Sequence, residues 1–196
     1  MESFIRTDER LESIKSLEKT IQFLEESEKD IYQWKWFLIS LHNALQCFMV
    51  LALKGSNSLK IMKTSDATKW MTAYESGSDY PITKLDFFMK LFEKIQSDSI
   101  GMFTTSQRFE SNESIDTSVK RLNEFRNRFI HFMPKSWSLE IIGLPGLALD
   151  VLEVIEFLFY KSGNVYFYEE GQHKLVEEMI GELKTQLIQR ERKYVV

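Results

Sequence analysis

The sequence holds 196 residues with a formal net charge of −4 at pH 7, is 43% hydrophobic and 13% aromatic, and contains only 8 Gly and 3 Pro. These values exclude a disordered chain and a surface that is basic everywhere. They favour a single all-α domain over residues 1–196, built as an up-and-down bundle of five to six helices. The single cysteine, Cys47, excludes an intrachain disulfide, and its apolar neighbours favour a packing role.

The first two predicted helices span residues 7–28 and 31–53. The first is apolar on one face only, which is typical of a helix at the edge of a bundle. The second is apolar nearly all round, which predicts the buried central helix. Its large aromatic residues are therefore expected in the core: Trp34, Trp36, Phe37 and Phe48.

The middle of the chain is less regular. Ser65 or Asp66 can cap a short helix that ends near Tyr74. Thr83 and Asp86 form an approximate capping box, which predicts that a third major helix starts there. Residues 97–116 are the longest irregular stretch, and either a functional loop or a plain connection fits them.

The C-terminal half contains three more predicted helices. The fourth begins at residue 116 or 117 and ends at 132, before Pro134, and residues 135–142 read as extended. The fifth spans residues 144–161 and the sixth 171–193. The helices at the two termini are candidates for elements appended to the central domain. The two most apolar stretches, residues 34–53 and 141–160, are both interrupted by polar residues, and the start of the chain has no apolar signal core. We therefore expect a cytoplasmic protein without a membrane partner.

The fourth helix carries the candidate chemistry. At about 100° per residue, its apolar side chains fall on one side, and the side opposite Leu122 carries His131. Asn127 lies four residues before His131 on the same side, within side-chain contact. Arg126 lies at the edge of the apolar face, so it must extend to water, pair with an acid or meet a partner surface. The neighbouring residues make this the most basic part of the chain: Lys120, Arg121, Arg128 and Lys135.

The pattern Arg126-Asn127-x-x-x-His131, near the end of a late helix in a small helical chain, resembles the signature of the HEPN superfamily. In that family four to six residues separate an Arg from a His, and a polar residue, often Asn, follows the Arg. The stretch from Phe125 to Phe132 and the following Pro134-Lys135-x-Trp137 are similar to bacterial HEPN members.

The resemblance implies a metal-independent endoribonuclease of a defence or toxin system, whose site forms where two motif helices meet in a homodimer. The 2′-OH of RNA is then the nucleophile. His131 exchanges the proton, because histidine ordinarily has a pKa near 6.5. Arg126 stabilises charge on the phosphate, and Asn127 orients His131 or binds the phosphate. No cofactor and no metal are expected. An antitoxin or another partner protein fits the family, but Met133 stands where members regulated by tyrosine modification carry Tyr.

Several further residues are candidates for binding the substrate. Lys120, Arg128 and Lys135 suit phosphates, and Trp137 can stack on a base. His42 and Gln46 share a polar stripe on the second helix, and they either line the site or form a buried pair that fixes helix packing.

Two other functions remain open. One is a catalytically silent HEPN module that binds RNA, a nucleotide or a protein, and the other is a purely structural bundle. The acidic charge favours the silent module, whereas the intact Arg-Asn-x-x-x-His pattern favours the enzyme.

Overall fold

The structure of the protein is a computed structural model that describes residues 4–131 and 134–194. It is an all-α bundle, 67% helical, which confirms the fold class that the sequence predicts. Within the described residues there are seven α-helices, one more than the upper count expected. Their bounds are α1 Glu9–Glu26, α2 Gln33–Lys54, α3 Thr64–Ser76, α4 Phe88–Ile95, α5 Glu113–Ile130, α6 Leu144–Glu156 and α7 Gln172–Tyr194.

The central helix is α2, as its all-round apolar pattern predicts. It packs against α1, α4, α5 and α6, and α7 closes the bundle against α1 and α6. Side chains from both terminal helices, such as Leu17 and Leu183, belong to the same buried cluster as those of α2. Among the described residues α2 alone is long and apolar enough to cross a membrane, but 61% of its apolar window is buried by the rest of the protein.

One of the predicted core aromatics is not in the core. Trp34, Phe37 and Phe48 are buried, whereas Trp36 is 41% exposed. Its ring lies 6.4 Å from that of Phe23, close to the end of α1. Trp36 lines an open groove between α1, α2 and α5, which leaves part of its ring exposed.

The predicted start of the third major helix is also wrong. Thr83 and Asp86 form no capping box, and α4 begins only at Phe88. Leu85 makes an isolated antiparallel bridge with Met62. The Asp86 carboxylate accepts a hydrogen bond from Lys94 Nζ at 2.7 Å instead of capping a helix. Residues 83–87 therefore lie outside any helix.

The helix that carries the candidate motif begins earlier than predicted. The side chain of Asn112 caps α5 by accepting from the backbone N–H of Ile115 at 3.1 Å. The irregular segment before it is correspondingly shorter, and it contains a 3-10 turn over Asp98–Ile100. In the C-terminal half, α6 continues into a π-helical turn, Phe157–Lys161, so the predicted helix over 144–161 is confirmed in extent.

Candidate functional site

The C-terminal half of α5 exposes the motif residues because its opposite face is bound to the bundle. Ile115, Val119 and Leu122 are buried. His131 is the residue that follows the last helical position, and its backbone N–H donates to the carbonyl oxygen of Asn127 at 2.9 Å. Its side chain is exposed, as the helical wheel predicts. The imidazole is therefore accessible to a ligand in solution.

Arg126 is half-buried, and its guanidinium has no acidic partner in the part of the chain that the structure describes. Its Nη1 donates to Asn127 Oδ1 at 3.1 Å. It lines a groove of about 380 Å³ between α1, α2 and α5, beside Trp36 and Ile130. We call this the arginine groove. His131 is not among its lining residues, so one copy of the chain does not bring Arg126 and His131 into the same groove.

His42 lies in the interior between α2, α4 and α5. It is only 4% exposed, and its ring stacks on Phe88 with centroids 3.9 Å apart. Its Nε2 lies 3.2 Å from Asn123 Oδ1. Because an amide oxygen only accepts, Nε2–H is the donor in this pair. The hydrogen-bond partner of His42 is therefore Asn123 and not Gln46. His42 and Gln46 both line the arginine groove with Arg126, which agrees with the other predicted alternative, that the two residues line the site.

Burial lowers the pKa of His42 to about 4, because desolvation disfavours the charged ring, and the nearby Arg126 acts in the same direction. The hydrogen bond with Asn123 opposes this shift. His42 is therefore neutral at physiological pH. It positions the motif helix against α2 and is not suited to exchange protons there.

Asn123 is the residue that sequence reasoning missed as a functional candidate. The sequence shows that Asn123 stands four residues before Asn127, on the polar side of the predicted helix. The sequence does not show its hydrogen bond with His42, because the two residues are 81 positions apart and no local pattern links them.

Most of the remaining candidates for substrate binding lie around Trp137. Trp137 packs on Phe129 with ring centroids 4.8 Å apart, and the Arg128 guanidinium lies 5.7 Å from the Trp137 ring. Trp137 and Lys135 both line a second groove of about 680 Å³, next to the start of α2. We call this the tryptophan groove. Lys120 is exposed on α5 and lines neither groove.

The charge around the end of α5 is one-sided. Residues 120–135 hold five basic side chains and one acidic side chain, in a chain whose net charge is −4. None of these five cations forms a salt bridge within residues 4–131 and 134–194. An exposed imidazole, a guanidinium and an amide at one helix end suit proton exchange and phosphate binding.

Two other chemistries find little support. No cluster of three or more His, Cys, Asp or Glu residues suited to a metal ion occurs in the described parts of the chain. Burial raises the pKa of the Cys47 thiol to about 12, so it is not a nucleophile at neutral pH. Comparison of the chain with models of known protein families, with curated proteins and with solved structures finds no match in any of the three.

Proposed function

We propose that the protein is a metal-independent endoribonuclease of HEPN type that uses Arg126, Asn127 and His131. One observation supports this above all. Arg126 has no acidic partner among the described residues, and it lies at the same helix end as the exposed His131. A half-buried guanidinium without a counter-charge is costly unless a ligand supplies one, and a phosphodiester does so in the geometry that arginine prefers.

The proposed roles follow from what each group can do. His131 removes the proton from the 2′-OH or donates one to the leaving 5′-oxygen, since an imidazole can both accept and donate a proton. Arg126 stabilises the charge that builds up on the phosphate. Asn127 holds Arg126 through its side chain, and its carbonyl oxygen holds the backbone of His131. The family resemblance alone supports a role in a defence or toxin system, with or without a protein antitoxin.

A homodimer belongs to this proposal. Within one copy, Arg126 faces the arginine groove and His131 does not. A two-fold pairing of α5 ends can bring His131 of one copy to Arg126 of the other. Ile130, which lies between them in sequence, is 47% exposed and supplies apolar surface for such a contact. We expect Ile130→Glu to yield a monomer by light scattering, whereas Ile82→Glu, on an isoleucine that is 92% exposed outside this region, leaves the dimer intact.

The same separation of Arg126 and His131 also favours the silent-module alternative, in which α5 binds RNA, a nucleotide or a protein without cutting RNA. Cleavage measurements decide between the two. A wild-type dimer that binds RNA and cuts no RNA under varied conditions would establish the silent module.

The decisive experiment is cleavage of a defined RNA in EDTA, followed by analysis of the ends. We expect a 2′,3′-cyclic phosphate and a 5′-hydroxyl, and no cut at a position that carries a single 2′-deoxy sugar. His131→Ala should abolish cleavage, and His173→Ala is the matched control because His173 is exposed on α7. Cleavage at the deoxy position would show that water attacks, and the roles given to His131 and Arg126 would then be wrong.

A further inference from the structure

The tryptophan groove is walled mainly by apolar and aromatic side chains. Tyr32, at the start of α2, forms one side and is 60% exposed. Phe129 of α5 and Trp137 form another side, with their rings in contact. Among the residues that the structure describes, no acidic side chain lines this groove. Flat aromatic surfaces that remain open to solvent are suited to stacking on a planar ligand.

Cations surround these rings. Lys35 Nζ lies 5.4 Å from the ring centroid of Tyr32 and 5.9 Å from that of Phe129. Lys35 has no salt-bridge partner in residues 4–131 and 134–194, and Arg128 lies over Trp137. Stacking surfaces flanked by free cations fit a base with its phosphates better than an apolar helix, which offers no negative charge.

The groove lies beside the proposed reaction centre. Phe129 precedes His131 by two residues and Pro134 follows it by three, and both line the groove. We propose that the tryptophan groove holds an unpaired nucleobase next to the scissile phosphate, so that the substrate is single-stranded RNA. This inference rests on the proposed function. A base within a duplex is paired and stacked and cannot enter the groove without being extracted.

The test separates binding from cleavage by using His131→Ala protein, in which the proposed proton-exchanging group is absent. The probes are a fluorescein-labelled single-stranded RNA and the same strand annealed to its complement. We expect tighter binding of the single strand. Trp137→Ala and Tyr32→Ala should each weaken it about 5-fold or more, with little effect on the duplex. Tyr74→Ala is the matched control, because Tyr74 is 61% exposed on α3, outside the groove.

Three outcomes distinguish failure of this inference from failure of the proposed function. Equal binding and equal cutting of both probes, unaffected by Trp137→Ala, would overturn the groove while leaving the nuclease intact. A single strand that binds through Trp137 but is never cut by wild type would support the groove and refute the nuclease. Dissociation of a dimer by Tyr32→Ala, with RNA affinity unchanged, would show that a second copy fills the groove. Trp137→Phe, which keeps an aromatic ring, should restore binding if Trp137→Ala disturbs folding.

Discussion

The two ends of α2 hold the same kinds of cation in opposite electrostatic settings. At its C-terminal end, a cleft of about 500 Å³ contains Arg10, Lys54 and Lys60. Lys54 Nζ and Arg10 Nη1 both contact Glu9 Oε1, at 2.7 and 3.2 Å. Lys60 Nζ donates to the carbonyl oxygen of Gly101 at 2.6 Å. Each positive charge in this cleft already has an oxygen partner within the chain.

Towards the N-terminal end of the 22-residue α2, Lys35, Arg126 and Arg128 have no acidic partner in the described parts of the chain. Their neighbours are aromatic rings and the amide of Asn127. Basic residues in a cleft therefore do not by themselves indicate an anion site. Cations that the protein has already neutralised hold the structure together, whereas the others remain available to a polyanion.

The largest expected effect is on RNA cleavage, and it compares alanine variants of one arginine near each end of α2. Arg126→Ala should reduce cleavage by roughly 100- to 1,000-fold, because it removes the group that stabilises charge on the phosphate. Arg10→Ala should leave cleavage unchanged and lower the free energy of unfolding by about 1 kcal/mol. It loses the bond to the Tyr166 carbonyl oxygen and the stacking of Arg10 on Tyr168, at 4.0 Å from the ring centroid.

Both variants are measured by single-turnover cleavage and by urea unfolding. Similar losses of activity in the two would mean that the overall positive charge matters and that the position of Arg126 does not. Unchanged cleavage by Arg126→Ala, with the fold intact, would remove the main support for the proposed function.

The sequence predicted the fold class and the central position of α2, because a helix that is apolar all round has to be covered on all sides. It also predicted the exposure of His131, since helical periodicity determines which side of α5 faces away from Leu122. It failed at Trp36, because periodicity does not show which face of a helix borders an open groove. It failed at Asp86 and at the partner of His42, because Lys94 and Asn123 reach them only in the folded chain. The HEPN assignment and the endoribonuclease activity stay proposals.

A second prediction concerns the contact that positions the motif helix. The pKa of His42 is lowered to about 4 in the folded protein, whereas an unfolded histidine titrates near 6.5. The folding stability linked to His42 is therefore fully present above about pH 6.5. Between about 6.5 and 4 the unfolded state binds a proton that the folded state does not, so stability falls by up to about 1.4 kcal/mol per pH unit. Below about pH 4 this loss stops.

Urea unfolding at several pH values, for wild type and for His42→Gln, measures this effect. We expect the variant to be less stable at pH 7.5, because the stacking on Phe88 is lost. Its disadvantage should shrink as the pH falls towards 4, since glutamine does not titrate. Carboxylates such as Glu28, whose pKa is lowered by the hydrogen bond with Lys193, weaken both proteins in acid alike, so they cancel in the difference. A difference that is constant with pH would show that His42 is not held neutral.

The smallest expected effect is on the salt dependence of RNA binding, and it compares Arg128 with Lys54. Each phosphate contact on a single strand contributes about 0.7 to the slope of the logarithm of affinity against the logarithm of salt concentration. Arg128→Gln in the His131→Ala protein should reduce that slope by about this amount. Lys54→Gln removes the same formal charge, but Glu9 already neutralises Lys54, so the slope should not change. Because the two variants alter the net charge equally, any difference between them reflects local contact with the strand and not long-range attraction. Equal reductions in both would show that RNA responds to the charge of the whole protein, and the contrast between the two ends of α2 would then have no functional meaning.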